Sequence, residues 1–260
     1  MTSNPPRLGI ISALQQEQSG LIDLMQGTQT VRRGMRDYVS GSLWGMDCVC
    51  VLSRIGKVAA AATVATLIER FGVTHVVFTG VAGAVDKAVR VGDIVVADTL
   101  VQHDMDARPL FPRFEVPLLG QSHFASDRHL TDQLAQAATG FLQHELETLV
   151  PAADRETFRL AAPRVHRGLI GSGDEFLHDR VRHEQLVSTL PSLLAVEMEG
   201  AAVAQVCFEF GLPFAVVRTI SDGANEASAH DFMHFIERVA ARYAFGIVKR
   251  LCTAEGSHFS

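Results

Sequence analysis

The feature that most constrains the fold is a series of nearly uninterrupted apolar runs of strand length. The run at residues 75–80 is the clearest, and others occupy residues 8–14, 48–53, 93–98 and 214–220. Strands of this kind are typically buried on both faces, as in sheets that helices cover on both sides. The runs therefore predict the central strands of an α/β protein.

Segments with helical patterning lie between these runs. The alanine-rich segment at residues 58–71 is followed by Gly72, and a glycine at this position commonly ends a helix. Further helices are predicted at residues 126–150, 179–188, 201–208 and 230–251, a hairpin at 30–44, and a strand at 164–171. Since no linker interrupts the alternation, we predict one domain over residues 1–260. Its fold would be α/β, with three layers (α/β/α) around a mixed, largely parallel sheet.

Composition and charge exclude several classes of function. The chain has 260 residues and a formal net charge of −6. It therefore lacks the basic surface of a protein that binds nucleic acid or an anionic membrane. No apolar run reaches the roughly 18 residues that a membrane span needs, and the first residues lack the apolar core of a signal peptide. We expect a cytoplasmic protein that binds neither nucleic acid nor membrane.

Three carboxylates stand at the ends of predicted buried elements. Glu199 opens an apolar helix, Asp222 follows an apolar strand, and Glu17 lies just beyond the first strand. Because ligands of α/β proteins bind where strands end and helices begin, these acids are candidates for one site shared with Arg218. Taken singly, Glu199 is also explained as a helix N-cap or as an ion-pair partner of Arg218. Glu17 is also explained as an acid in the first turn of a helix.

The glycine pairs of the chain give a weaker indication of function. Gly80 and Gly83, like Gly171 and Gly173, accompany predicted strands, but they match neither a dinucleotide-binding nor a P-loop motif. A tight loop at such a place lets a flat ligand approach the backbone. Each glycine taken alone is equally explained by a turn that needs positive φ.

Spacings typical of metal sites and of serine hydrolases are missing. Residues 103–106 (His-Asp-Met-Asp) have no matching second ligand pair, which favours a structural or substrate-loop role over a metal site. The cysteines form no C-x-x-C pair and are expected to be buried reduced thiols. The sequence also lacks the G-x-S-x-G motif of serine hydrolases. We predict no metal site.

Seven motifs resemble, in order, those of the 5′-methylthioadenosine/S-adenosylhomocysteine nucleosidases of the nucleoside phosphorylase superfamily. The motifs are GIISALQQE at 9–17, IGKVAA at 55–60, TGVAG at 79–83, VGDIVV at 91–96, SGDEF at 172–176, VEME at 196–199 and RTISD at 218–222. The resemblance implies one α/β domain with a mixed sheet, usually in a homodimer. It also implies hydrolysis of the N-glycosidic bond in adenosines with a 5′-thioether, with 5′-deoxyadenosine a further candidate and no metal or organic cofactor.

The resemblance also assigns roles to residues at matching positions. Asp222 would deliver a proton to adenine N7 and Glu17 would activate the water, with support from Arg218 and Ser221. Further residues would bind the nucleoside substrate: Glu199 and Met198 at the ribose, Phe176 and the backbone near Leu177 at adenine, and Leu14, Ile55, Phe232, Val81, Ala82 and Gly83 around the rest of the pocket. Phe111, in the apolar excursion at residues 107–123, would close the pocket of a partner subunit.

The chemistry of the cleaved bond fits these roles. Breaking the C1′–N9 bond builds positive charge on the sugar and negative charge on the purine. A proton at N7 neutralises the leaving group while a carboxylate-held water attacks the sugar, as in two-carboxylate glycoside hydrolysis. Asp222 would have to stay protonated, which requires burial or a nearby negative charge.

Departures from the family pattern leave alternatives open. Val81 stands where many relatives have serine, residues 107–123 lack the tyrosine common in bacterial enzymes, and the segment at 151–162 is longer than expected. One alternative is a phosphate-dependent phosphorylase, for which Arg54 and Arg90 could supply positive charge. Others are a nucleosidase for another nucleoside, such as a futalosine-type compound, and a nucleoside-binding protein without activity. The presence of both Glu17 and Asp222 argues against the last.

Overall fold

The structure is a computed structural model that describes residues 6–18, 20–224 and 228–254. Its strands are Leu8–Ser12 (β1), Gln26–Arg33 (β2), Arg36–Leu43 (β3), Met46–Leu52 (β4), His75–Ala84 (β5), Ile94–Gln102 (β6), His123–Ala125 (β7), Val165–Ser172 (β8), Leu193–Glu197 (β9) and Phe214–Asp222 (β10). Its α-helices are Gln15–Gln18 (α1), Lys57–Phe71 (α2), Arg128–His144 (α3), Leu146–Leu149 (α4), Ala152–Thr157 (α5), Arg180–Thr189 (α6), Gly200–Phe210 (α7), Ser228–Phe235 (α8) and Ala241–Thr253 (α9). A 3₁₀ turn at Ile22–Leu24 and a π-helical segment at Ile236–Ala240 complete the described elements.

The strands form one mixed sheet around β1. Strand β1 pairs in parallel with β4 and β5, and antiparallel pairs continue from β4 through β3 to β2 at an edge. On the other side, β5 pairs with both β9 and β10. The pairs β10–β6, β6–β8 and β8–β9 then close β5, β10, β6, β8 and β9 into a ring. The sheet is therefore open at β2 and closed on itself at the opposite end.

Helices cover both faces of the sheet. One core lies on the face covered by α3 and α9 and contains Ile10, Cys50 and Val217. The other lies under α2 and α7 and contains Ile11 and Val51. Adjacent residues of one strand, such as Ile10 and Ile11, enter opposite cores because side chains alternate along a strand. The predicted α/β class, with three layers around a mixed sheet, is confirmed.

Several boundaries differ from the prediction. The helix predicted at residues 126–150 ends at His144, and a separate turn of helix, α4, follows it. The long segment at 151–162 contains the short helix α5. Strand β9 was not predicted, because its five residues, Leu-Leu-Ala-Val-Glu, run directly into the apolar sequence of α7. Gly72 ends α2 with φ 62°, as the sequence indicated.

The topology brings several strand ends to one place. Strands β1, β4, β5 and β10 run parallel, so their carboxyl ends meet at one edge of the sheet. The last residues of β5 also meet the last residues of β9 in a short antiparallel pairing, Gly83 with Val196. Carboxyl ends of strands are where α/β proteins bind ligands. Within the described ranges, no helix combines the length and the apolar character needed to cross a bilayer.

Candidate active site

A cavity of about 320 Å³ opens at this edge of the sheet. Its size falls in the lower range of small-molecule sites, which is roughly 300–1,000 Å³. Its walls are largely apolar, with acidic side chains among them. The described lining residues are Ala13, Leu14, Glu17, Ile55, Val81, Ala82, Gly83, Glu175, Phe176, Leu177, Val196, Glu197, Met198, Glu199, Ser221, Asp222 and Phe232. The site residues predicted from the sequence therefore converge on one cavity, except for Arg218 and Phe111.

Glu17 is fixed by the turn that follows β1. Its carboxylate accepts hydrogen bonds from the backbone N–H groups of Ala13 and Leu14, each at 2.8 Å, and from that of Val81 at 3.2 Å. The residue is 2% exposed. Burial raises the pKa of Glu17 above its ordinary value, although the backbone hydrogen bonds and the nearby Arg218 charge oppose this shift. Glu17 is therefore an acid in the first turn of a helix, α1, and it also lines the cavity.

Asp222 is the last residue of β10 and is paired with Gly83 near the end of β5. Its carboxyl oxygens accept hydrogen bonds from the Ser221 hydroxyl at 2.8 Å and from the Ala224 N–H at 2.9 Å. Asp222 is 2% exposed. A Cβ atom placed on Gly83 would lie 2.9 Å from one of its carboxyl oxygens. The carboxyl group is therefore held in one orientation against the end of β5.

Glu199 reaches the cavity from the start of α7. It occupies the N-cap position, but its side chain does not cap that helix. The carboxylate instead accepts a hydrogen bond of 2.8 Å from the backbone N–H of Gly56. Burial, followed by the neighbouring Glu197 charge, raises the pKa of Glu199. The alternative of an ion pair between Glu199 and Arg218 is wrong, because Arg218 pairs with Glu197.

The Glu197–Arg218 ion pair adjoins the cavity, which Glu197 lines and Arg218 does not. Arg218 is 1% exposed, its Nη2 lies 2.6 Å from Glu197 Oε2, and its guanidinium stacks 4.0 Å from the centre of the Phe78 ring. Glu197 also accepts hydrogen bonds from the Ser172 hydroxyl and from the Gly200 N–H. Sequence reasoning gave Glu197 no role. Its position in the same motif as Glu199 could have indicated a role for Glu197 in the site. The sequence does not show, however, which of the two acids pairs with Arg218.

Close packing, and not an unusual φ, explains the glycines at two positions of β5. Gly80 and Gly83 lie inside β5 and neither has positive φ, so the turn explanation is wrong for both. A Cβ atom on Gly80 would lie 3.0 Å from a Glu17 carboxylate oxygen and 3.2 Å from an Arg218 nitrogen. Small residues here allow Glu17, Arg218 and Asp222 to pack against one strand. Gly171 and Gly173 also lack positive φ.

Aromatic and aliphatic side chains form the remaining walls. Phe176 and Phe232 meet edge to face, with ring centres 5.5 Å apart and an angle of 75° between the rings. Leu177 is buried, whereas Ile55 is more than half exposed at the mouth. Phe111 does not line the cavity of this single chain. Flat rings beside acidic groups suit a planar heterocycle attached to a hydroxylated sugar.

Residues 103–106 support the loop that carries Phe176. The Asp104 carboxylate lies 2.6 Å from Lys57 Nζ and accepts the Asp174 N–H at 2.9 Å. The His103 ring is buried, and it packs so closely on Gly173 that a Cβ atom there would clash with it. Within the described part of the chain, no group of three metal-ligating side chains is close enough to bind a metal ion. The contacts agree with a structural role for this segment.

Comparison with known proteins places this site in a family. A family model described as the phosphorylase superfamily matches residues 7–253. The 5′-methylthioadenosine/S-adenosylhomocysteine nucleosidase of Shewanella frigidimarina is 35% identical over 246 residues, which cover 94% of this chain and 98% of the relative. The chain belongs to this nucleosidase family of the phosphorylase superfamily. The resemblance predicted from the seven motifs is therefore confirmed.

Solved structures of the nucleosidase family share the fold closely. The Neisseria meningitidis 5′-methylthioadenosine/S-adenosylhomocysteine nucleosidase, in complex with methylthio-immucillin-A, has a TM-score of 0.83 and 32% identity, covering 96% of this chain and 99% of its own. The native futalosine hydrolase of Helicobacter pylori has a TM-score of 0.80 and 31% identity, covering 95% of this chain and 97% of its own. Nucleosidases with different substrates therefore resemble this chain to similar degrees.

Proposed function

We propose that the protein hydrolyses the N-glycosidic bond of 5′-thio-substituted adenosines and releases adenine and the 5′-substituted ribose. The observation that carries the proposal is the convergence of Glu17, Asp222 and Glu199 on one cavity with largely apolar walls. The relatives named above as 5′-methylthioadenosine/S-adenosylhomocysteine nucleosidases support this substrate class. Such sites need an acid for the leaving base, a base for the water and a contact for the sugar, and the cavity offers one carboxyl for each.

In the proposed mechanism, Asp222 donates a proton to N7 of the departing adenine. The Ser221 hydroxyl and the Ala224 N–H fix its carboxyl group, so little reorganisation is needed as charge develops on the purine. Protonation of the leaving group allows the C1′–N9 bond to break before the water has fully bonded. A proton transfer of this kind contributes roughly a hundredfold to ten-thousandfold to a rate.

Glu17 orients the attacking water and takes its proton. Three backbone N–H groups, those of Ala13, Leu14 and Val81, hold the carboxylate at the floor of the cavity. The positive charge of Arg218 behind it favours the ionised form. A carboxylate in this place also stabilises the positive charge that builds on the sugar.

Contacts on the other walls fix the nucleoside. Glu199, anchored by the Gly56 N–H, would bind the ribose hydroxyls, with Met198 against the sugar. Phe176 would stack on adenine, and the backbone near Leu177 would read its Watson–Crick edge. The apolar 5′ substituent would then lie among the aliphatic and aromatic residues of the cavity wall: Leu14, Ile55, Val81 and Phe232.

The charge of the cavity favours water over phosphate as the nucleophile. Five of the described lining residues are acidic and none is Lys, Arg or His: Glu17, Glu175, Glu197, Glu199 and Asp222. Phosphate is a dianion and needs cationic or hydroxyl-rich ligands. Neither Arg54 nor Arg90 is among the described lining residues. We therefore infer hydrolysis and not phosphorolysis.

We also propose a homodimer in which the excursion at residues 107–123 closes the partner's pocket. Phe111 lies outside the cavity of its own chain. Leu110 and Leu118 in the same excursion are 83% and 92% exposed, an apolar surface suited to a subunit contact.

The state of the cysteines bears on the cellular compartment, because all four are free buried thiols. This state is typical of a reducing compartment and supports the cytoplasm.

Release of the base from 5′-methylthioadenosine, S-adenosylhomocysteine, adenosine and inosine, with and without phosphate, tests the proposal; the base is adenine for the first three and hypoxanthine for inosine. We expect adenine from the two thioether nucleosides at a rate that phosphate does not change. Strict phosphate dependence would make the protein a phosphorylase. Release from futalosine but not from the thioethers would assign it to the chemistry of its futalosine hydrolase relative.

On the acidic side of its pH profile, kcat/KM should fall at a higher pH than the ordinary pKa of a glutamate would give. Glu17 must be ionised to accept a proton, and burial raises its pKa above the ordinary value of 4.5. Lowering the pH therefore protonates Glu17 sooner than an exposed glutamate, and kcat/KM falls there. The measurement is kcat/KM for 5′-methylthioadenosine between pH 4 and pH 9, about the range over which such carboxyls titrate. An acid limb centred at or below 4.5 would remove Glu17 as the base.

Val81→Ser should change rate or substrate preference without creating phosphate dependence. Val81 lines the cavity, and its N–H holds Glu17, so the new hydroxyl replaces an apolar contact while the backbone hydrogen bond remains. Loss of such a contact costs about tenfold in kcat/KM for the methylthio substrate. Val58→Ser, at an exposed position outside the described lining of the cavity, is the matched control. Phosphate-stimulated release in Val81→Ser alone would show that this position selects the nucleophile.

A further inference from the structure

An arginine cluster lies beside the mouth of the cavity. It consists of Arg33 and Arg36 at the β2–β3 hairpin and Arg54 after β4. Arg33 and Arg36 are paired across the hairpin. The Arg36 Nε donates to the Ser53 carbonyl at 3.1 Å, and the Arg54 Nη2 donates to the Met35 carbonyl at 2.8 Å. These bonds join the hairpin to the turn after β4.

The sheet register places this cluster at the edge that holds the candidate site. Strand β3 runs antiparallel to β4, so the hairpin that begins β3 lies at the carboxyl end of β4. The carboxyl ends of β1 and β4 are level, Ser12 with Leu52. Arg54 is followed directly by Ile55, which lines the cavity mouth, and by Gly56, whose N–H holds Glu199. Consecutive Cα atoms are about 3.8 Å apart, so Arg54 flanks the mouth.

Arg54 occupies a position that suits glycine better. Its φ is 70°, in the left-handed region that side chains with a Cβ rarely adopt. Its side chain is exposed, and one described hydrogen bond, to the Met35 carbonyl, uses one of its donors. Glycine would adopt this φ without strain. The arginine that stands here instead presents an exposed guanidinium next to Ile55 at the cavity mouth.

The three arginines of the cluster have no ion-pair partner among the described residues, since none of the described Asp or Glu side chains lies within ion-pair distance of Arg33, Arg36 or Arg54. The neighbouring Arg32, in contrast, lies 3.8 Å from Asp37. The adjoining cavity is lined by acids and would repel an anionic group. Positive charge is thus concentrated just outside the mouth, in a chain with a net charge of −6.

We propose that Arg54, backed by Arg36 and Arg33, binds a carboxylate at the far end of the 5′ substituent. This inference rests on the proposed nucleosidase function, in which the 5′ substituent leaves the cavity past Ile55. The substrates that it favours are 5′-thioadenosines with a carboxylate-bearing alkyl chain, over neutral alkylthio compounds of equal length. The apolar mouth binds the chain, and an Arg54 guanidinium donor without a partner among the described residues binds its end.

Two synthetic substrates of matched length test this assignment: 5′-(2-carboxyethylthio)adenosine and 5′-propylthioadenosine. The readout is the ratio of their kcat/KM values, measured as adenine release. We expect Arg54→Gly to lower the ratio about fivefold, the size of an exposed charge–charge contact. Arg54→Lys should keep part of it, and added salt should lower it in the wild-type protein. Glycine tolerates the φ of this position, so the variant should retain its fold, which a thermal unfolding scan checks.

Arg32→Gln is the matched control, because it removes one arginine of the same hairpin whose charge already faces Asp37. Its ratio should equal that of the wild type. An unchanged ratio in Arg54→Gly, or an equal loss with both substrates, would overturn the assignment. If phosphate stimulated adenine release and Arg54→Gly abolished that stimulation, the cluster would bind phosphate and not a substrate carboxylate. If neither thioether yields adenine in the wild type, the proposed function itself has failed, and the failure does not depend on Arg54.

Discussion

Asp222→Asn and Glu17→Gln should each nearly abolish adenine release while leaving the fold intact. Either change removes one of the two proton transfers that the proposed reaction needs, and each transfer contributes roughly a hundredfold to ten-thousandfold. Both substitutions keep the shape of the side chain. The Asp222→Asn side chain keeps an oxygen for the Ala224 N–H. The Glu17→Gln side chain keeps one for the N–H groups of Ala13 and Leu14 while losing the longer bond from Val81. The loss should therefore appear in kcat, with substrate affinity largely retained.

The measurement is single-turnover adenine release together with thermal unfolding of each variant. Asp98→Asn is the control, since Asp98 is a partly exposed strand carboxylate that pairs with Arg167 and does not line the cavity. It should keep the wild-type rate. If Asp222→Asn or Glu17→Gln turned over at the rate of the wild type, that residue would have no part in proton transfer. A variant that lost activity and unfolded at room temperature would show a structural role instead.

The strands that build the site were accessible from the sequence, because burial on both faces leaves a continuous apolar run. Strand β5 is the plainest case. Glu17 lies just beyond β1, in α1, and Asp222 ends β10, as predicted. Strand β9 was missed for two physical reasons. It has only five residues, and it is defined by pairings with β5 and β8 that periodicity along the chain does not specify.

The sequence also does not specify which groups pair with the buried charged side chains. Glu197 and Glu199 are two residues apart, and either could meet Arg218 as far as spacing shows. The fold resolves this because Glu197 ends β9 beside β8, where Ser172 and the start of α7 add hydrogen bonds. Glu199, two residues later at the N-cap of α7, accepts a hydrogen bond from the Gly56 N–H. Contacts between distant segments decide which of these two cavity-lining acids neutralises the arginine.

Arg218→Met should destabilise the protein by about 3–5 kcal/mol, because it leaves the Glu197 carboxylate buried without its counter-charge. The pair is almost fully buried, with Nη2 and Oε2 2.6 Å apart. Glu197→Gln should be costly for the converse reason. The double variant removes both charges and keeps an acceptor oxygen for Ser172 and Gly200, so it should be more stable than either single variant. Urea unfolding of the four proteins measures these differences.

The double variant also separates the structural role of Arg218 from its effect on the candidate base. The positive charge of Arg218 lowers the pKa of Glu17, against the upward effect of burial. Removing that charge should move the acid limb of kcat/KM to higher pH, even where the double variant folds well at the temperature of the assay. Lys57→Met, which removes a cation paired with Asp104 away from Glu17, should leave the limb in place. An unchanged limb in the double variant would mean that Arg218 acts on Glu17 only by holding the fold, and that the backbone N–H groups of Ala13, Leu14 and Val81 alone keep the base ionised.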